Sequence, residues 1–272
     1  MPASSISLPA PASAQARTAR RLRAIPVALR QAILAALLFG LWYGLTELEV
    51  LSPFFFGRPL AVMAQVWDWF STGVIFPHLV TTLIETVLAF AIGTLLGMIV
   101  GLWLGLSRET AVLLNPFLNA MNSMPRVVLA PIFAVWFGLG ILSKVALGVT
   151  LVFFLVFFNV FQGVREVSPV VLANARMMGA NRRQLLTTVY IPSATSWVFS
   201  SLHASVGMAF VGAVVGEYLG SARGVGYLIL QAEGVFDVNA VFAGIVVLTA
   251  FAVTLDWCVS LLERRLLVWK PS

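Results

Sequence analysis

Six side chains able to do chemistry are scattered through an otherwise apolar sequence: Glu85, Arg126, His203, Ser205, Glu217 and Asp256. Charges at membrane depth are costly, so each implies a partner, a wet cavity or a path for a solute. Glu85, Arg126, Glu217 and Asp256 could couple ion flow in a secondary transporter, but the two halves show no inverted repeat. Membrane-embedded acid–base or nucleophilic catalysis needs two groups at one depth, and His203 and Ser205, two residues apart, do not share a helix face. A lone His203 with no second histidine nearby suits bridging between helices better than metal binding. Cys258, beside Trp257, reads as a packing residue and implies neither disulfide nor metal. The sequence contains no phosphate-binding loop, no His-Glu-x-x-His, no Gly-x-Ser-x-Gly and no cysteine pair. The chain is therefore expected to be non-catalytic and to need no cofactor, with Glu85, Arg126, His203 and Glu217 the candidates for a translocation path.

Composition supplies the setting. Hydrophobic residues make up 60% of the 272 and charged residues 10%, too apolar for one water-soluble core of this size. Six apolar segments are long enough to cross a bilayer: 28–46, 80–106, 112–138, 142–163, 194–217 and 240–261. No alternating ten-residue pattern of a membrane barrel appears, so an all-α polytopic membrane protein is expected. The net charge of +6 orients the helices and calls for no nucleic acid. With a cytoplasmic amino terminus, the inner segments collect the arginines of 17–30, Arg108, Arg165, Arg176, Arg182, Arg183, Arg264, Arg265 and Lys270, against Arg58, Lys144 and Arg223 outside. Residues 1–27 read as a disordered basic tail and 28–272 as the membrane domain, with both termini inside.

Within the spans, Gly93, Gly97, Gly101 and Gly105 form an i+4 stripe on which another helix can pack closely. Pro116, Pro125 and Pro131 break the third segment and place Arg126 about 21 Å along a helix from Ala111, near the bilayer centre. Two readings of Arg126 stand: pairing with Glu85 or Glu217, or a positive point on the path of an anionic solute. Asp256 is positioned to pair with Arg264 or Arg265, and Gly224-Val225-Gly226 reads as a turn rather than a phosphate cradle. Leu60 to Phe70, with Trp67 and Trp69, reads as a short helix in the outer interface.

The chain's one long polar-flanked interruption, residues 165–192, still reads as helical. Pro169 suits a first turn, and Val170, Ala173, Met177 and Met178 recur at helical spacing. Gly179 supplies a left-handed stop, Asn181 with Gln184 forms a capping box, and Pro192 is expected to end the second helix. Such a unit, basic on one side and apolar on the other, either lies on the membrane surface or docks against a partner.

Gly179, Val189, Ile191 and Pro192 stand at intervals that resemble the "EAA" loop of binding-protein-dependent ABC importer permeases. That pattern is Glu-Ala-Ala, three residues, Gly, nine residues, Ile, one residue, Leu-Pro. Ala175 matches its second alanine, whereas Ala173 replaces the glutamate and Asn174 the first alanine. The stretches MPRVVLAPIFAVWFGLGILSK, FFNVFQGVREVSP, VGAVVGEYLGSARGVGYLI and LLERRLLVWK resemble the nitrate/sulfonate/taurine branch of that family, in order, over about residues 40 to 270. Glu85 stands where sulfonate members more often have Arg, which points toward pyrimidine- or riboflavin-like solutes as the alternative. The resemblance implies the type I ABC importer permease fold with six spans in a bacterial inner membrane. It also implies a homodimer, two ATPase subunits under the 165–192 loop and a periplasmic solute-binding protein delivering a small, anionic solute. The residues it assigns to ATPase coupling are Ala173, Ala175, Arg176, Gly179, Ala180, Arg182, Ile191 and Pro192.

Overall fold

The computed structural model describes residues 26–266. The tail expected at 1–27 falls almost wholly outside the described residues, as does Lys270. Among the described residues every regular element is helical: α1 (Val27–Glu47), α2 (Pro53–Phe56), α3 (Pro59–Ser71), α4 (Ile75–Leu106), α5 (Arg108–Ser123), α6 (Ala130–Phe137) and α7 (Ile141–Arg165). There follow α8 (Pro169–Met177), α9 (Arg182–Leu185), α10 (Ile191–Ser200), α11 (Leu202–Leu219), α12 (Val225–Gly234) and α13 (Val238–Leu266). Five of these helices are long and apolar enough to cross a membrane, and α5 with α6, bent by 85°, makes a sixth where the bent pair counts as one span.

The chain divides into two compact units between Ala61 and Val62. In the first, α1 keeps most of its side chains exposed, as a helix that meets lipid must. The Trp42 indole donates to the Phe56 carbonyl at 3.2 Å, and the Thr46 hydroxyl bonds back to Trp42 and Tyr43. The helix expected over 60–70 is α3, on which Trp67 is exposed and Trp69 buried.

The second unit is organised by the glycine stripe. Gly93, Gly97, Gly101 and Gly105 of α4 face Val152, Val156, Val160 and Val164 of α7, the same interval on each helix, so the two run side by side in one direction. A Cβ at Gly97 would stand 2.9 Å from both the Phe153 carbonyl oxygen and the Val156 Cβ, and one at Gly101 would meet Phe157 and Val160 as closely. Lipid supplies no hydrophobic drive between helices, so this close backbone approach and the dispersion contacts it permits hold the pair together. Helix α11 closes on the other side of the seam, where a Cβ at Gly148 would stand 2.6 Å from that of Ala89 and Gly212 lies against the Gly148 backbone. Ala89, Val152, Val156, Val160, Val164 and Ala209 form one buried cluster along these contacts.

Two expectations change. The segment expected to cross at 194–217 is two helices, α10 and α11, separated at Ser201, whose N–H bonds to the Trp197 and Val198 carbonyls. Pro192 does not stop the helix before it. Residues Leu186–Tyr190 form a π turn in which the Ile191 N–H reaches back to the Leu186 carbonyl, widening the helix just ahead of the proline. That wider step moves the preceding carbonyls away from the position where a proline ring would clash, and the helix runs on into α10.

Filling the seam should be the most damaging change in the second unit. Gly97→Leu is expected to cost about 3 kcal/mol or more by overpacking. Detergent-extracted protein should lose its monodisperse peak on size exclusion, whereas Gly207→Ala, at a glycine facing open space, should leave it unchanged.

Candidate functional site

The polar groups of the second unit gather in three places. At the end of the bundle where α4 and α7 begin and α11 ends, Glu217 is fully buried. Its Oε1 accepts from the Thr82 hydroxyl at 2.6 Å and its Oε2 from the Gly226 N–H at 2.7 Å. Thr82 Oγ1 in turn accepts from the Val225 N–H at 3.2 Å, and His78 Nδ1 accepts from the Gly224 N–H at 3.1 Å. Gly224 has φ +110, and a Cβ there would collide with the Glu217 carboxyl. The Gly224-Val225-Gly226 turn therefore does cradle an acceptor, the chain's own Glu217 carboxyl group, at the N-terminus of α12, where backbone N–H groups need acceptors. Glu85 and Lys144, both buried, complete this cluster and interact with Glu217. Lys144, counted from sequence as an outer-loop charge, reaches the Leu139 carbonyl at 2.6 Å, while Glu85 Oε2 has no hydrogen-bond partner.

The second place is the bend between α5 and α6. Pro125 precedes a 3-10 turn over Arg126–Leu129, and Pro131 opens α6, where a missing N–H costs nothing. Arg126 does not pair with Glu85 or Glu217. Its Nη2 donates to the Asn122 carbonyl at 3.0 Å and to Asn122 Oδ1, and its guanidinium lies 4.7 Å from the centre of the Phe154 ring. The bend carries Arg126 to the Phe154 face of α7, while the carboxylates are held by partners on α4 and α12.

Near the start of α11, His203 bridges two helices. Nδ1 lies 2.7 Å from Asp256 Oδ1 and Nε2 lies 2.9 Å from Glu263 Oε2, both on α13. Asp256 was expected to pair with Arg264 or Arg265; Arg265 is exposed, and the side chain of Arg264 lies outside the described residues. A group of three or more residues able to hold a metal ion is absent among the described residues.

The 165–192 stretch ends α7 and forms two short helices joined by four residues, 178–181. Gly179, at φ +85, donates to the Arg176 carbonyl while the Ala180 N–H reaches the Ala175 carbonyl, both at 3.0 Å. This is the paired-bond stop of a helix that ends on a left-handed glycine. Asn181 Oδ1 then accepts from the Gln184 N–H at 2.9 Å, and Gln184 Oε1 from the Asn181 N–H at 2.8 Å. The stop of one helix and the start of the next are thus fixed by four bonds around a connection of four residues. Ala173, Arg176, Gly179, Arg182, Ile191 and Pro192 are exposed, Ala175 and Ala180 half-buried. Met177 and Met178 at the tip are 79% and 88% exposed, so the apolar tip is uncovered, whereas Leu185 behind it is buried. Just beyond Pro192, the Ser193 hydroxyl donates to the Gly163 carbonyl at 2.9 Å and Trp197 packs against Gly163, tying this unit to the end of α7.

Residues 93–268, from the first glycine of the seam onward, match the family described as "Binding-protein-dependent transport system inner membrane component". The chain belongs to this family. It is a multi-pass ABC transporter permease, similar over most of its length to several characterised or inferred relatives. The putative aliphatic sulfonates transport permease protein SsuC of Bacillus subtilis is 32% identical over 88% of this chain and 87% of its own. The formylaminopyrimidine transport permease protein ThiX of Halalkalibacterium halodurans is 31% identical over 81% and 88%. The taurine transport system permease protein TauC of Escherichia coli is 28% identical over 86% and 87%.

Of the sequence candidates, the structure brings Glu85 and Glu217 together and leaves Arg126 and His203 in separate places. Sequence reasoning missed Lys144, Thr82 and Glu263. Thr82, Glu85 and Thr86 recur at i, i+3 and i+4 on one face of an apolar helix, a signal that could have shown a buried polar contact. Glu263 lies seven residues from Asp256, on the same side of α13.

If the Glu217 cluster joins α4, α11 and α12, Glu217→Ala should leave the Gly226 N–H buried without its acceptor and Thr82 with only the His78 carbonyl, costing about 1–3 kcal/mol. The expected readout is a lowered unfolding temperature of the purified permease, with faster proteolysis of the 220–237 segment. Glu217→Gln, which keeps one acceptor, should lose less.

Proposed function

We propose that this permease is the membrane subunit of an ATP-driven importer that carries a small organic anion, of the sulfonate or taurine kind, into the cytoplasm. In this reading two copies form the path and a periplasmic binding protein delivers the solute. Two ATPase subunits seat on the 165–192 unit, the membrane is the bacterial inner membrane, and both termini are cytoplasmic. The observation that carries the reading is the two-helix unit. It is locally rigid through the Gly179 stop and the Asn181–Gln184 box, it presents uncovered Met177 and Met178 among Arg176, Arg182 and Arg183, and it is bonded to the end of α7 through Ser193.

A rigid element with an exposed apolar tip suits a groove on another protein, and its tie to α7 gives closure of that protein a route to the spans as a rigid-body motion. Ala173, Ala175, Arg176, Gly179, Ala180, Arg182, Ile191 and Pro192 are the residues proposed to meet the ATPase or to shape the surface that does. The names of the sulfonate and taurine relatives support the solute class, as does the uncompensated Arg126 at the α5–α6 bend. A second reading, a pyrimidine-like solute, is supported by the 31% identity to the formylaminopyrimidine permease.

The test is uptake by proteoliposomes that contain the permease, its ATPase and its binding protein. Uptake of taurine or ethanesulfonate that needs ATP and persists without an ion gradient is the expected result. Uptake of formylaminopyrimidine in its place would favour the second reading, and uptake that collapses with the gradient would sink the importer. Gly179→Val forces a β-branched residue into a left-handed conformation. It should cut ATP-driven uptake about tenfold or more, with insertion and solute-binding protein docking retained.

A further inference from the structure

Arg126 is a charge in the apolar, bent α5–α6 pair, and among the described residues no carboxylate lies close enough, within 4.0 Å, to balance it. Its Nη2 is spent on Asn122, one face of its guanidinium rests on Phe154, and its Nε has no acceptor. The helix that leads to it carries Asn115, Asn119 and Asn122 at i, i+4 and i+7, which places the three amides in one row that ends at the arginine. Asn119, Asn122 and Ser123 are exposed on the protomer. Amides in a row at this depth cannot be left facing lipid tails and need water or a partner. Because Asn122 turns its Oδ1 to Arg126, its amide N–H pair is directed elsewhere, so the row offers donors beside an unspent cation.

We propose that Asn119, Asn122 and Arg126 form a binding station for a singly charged oxyanion, a sulfonate or carboxylate, on a water-filled path along α5. One guanidinium flanked by neutral donors balances a single negative charge and, with Nη2 held by Asn122, can direct Nη1 at its oxygens, whereas a dianion would retain an unbalanced charge. Phe154 holds the guanidinium plane in place from behind. The proposal rests on the importer reading and narrows it, since an uncharged pyrimidine would gain nothing from Arg126.

The test needs no transport. Cys258 is the single cysteine, so Cys258→Ser gives a thiol-free chain into which Asn119→Cys is introduced, and the full permease is labelled in membranes. The probes are 2-sulfonatoethyl methanethiosulfonate and its trimethylammonium counterpart, each rate being corrected for reaction with a free thiol. The anionic reagent is expected to react about tenfold faster than the cationic one, the range by which a charged cleft concentrates a counter-ion. Arg126→Gln should bring the ratio to near one and Arg126→Lys should preserve it. In the chain that keeps Arg126, ethanesulfonate should slow labelling and dimethyl sulfone should not, a readout that holds even where Arg126→Gln fails to fold. Equal rates for the two reagents, or no protection by ethanesulfonate, overturn the proposal. So does a cysteine that neither reagent reaches, whether it crosslinks to a second copy or stays buried in lipid. A chain that labels as expected yet imports nothing under ATP would refute the importer reading alone.

Discussion

Everything in the second unit depends on how closely α4 and α7 approach. Four glycines meet four valines at the same interval, and the room for a single methyl group is missing at each step. In water such a seam would be one contribution among many, but in lipid, where apolar side chains gain nothing by leaving their solvent, it is a main source of helix adhesion. The seam fixes the register of α7 against α4. That register sets where Lys144 meets Glu85 and Glu217, where Phe154 faces Arg126, and where Gly163 receives Ser193 and Trp197. Polar contacts at both ends of α7 are thus consequences of a packing decision made along its middle.

The two ends are built differently. At the Glu217 end a carboxylate is enclosed by a hydroxyl and by N–H groups of a glycine turn, so α4, α11 and α12 are joined through bonds that have no competing water. At the other end, α8 and α9 project from the bundle with their methionines uncovered. In the proposed importer, one end would resist separation while the other is gripped, and α7, locked to α4, would carry displacement between them.

The sequence revealed the spans, the glycine stripe, the left-handed stop at Gly179 and the capping box, because each is a local pattern with a short-range physical cause. What it hid depends on partners distant in the chain. Thr82 and Glu217 are 135 residues apart, and His203 and Glu263 are 60 apart. No spacing rule joins them, and Lys144 looked like a loop charge because its burial is created by helices distant in the chain on either side of it. Pro192 misled for a different reason: proline's usual effect on a helix assumes regular spacing of the preceding carbonyls, and the π turn changes that spacing. Arg126 was legible as an oddity, but its neighbour Asn122 acquired meaning only once the bend placed both on one side.

That widened turn has a geometric consequence for everything that follows it in the chain. A helix advances about 100° per residue, so the extra residue held between Leu186 and Tyr190 sets the rotational phase between the segment that begins at the capping box and the span that follows. Gaining or losing one residue in this interval would swing every later side chain of α10 about the axis, turning Ser193 and Trp197 away from Gly163. The length of this stretch, more than the identity of its side chains, thus acts as a fixed gear ratio.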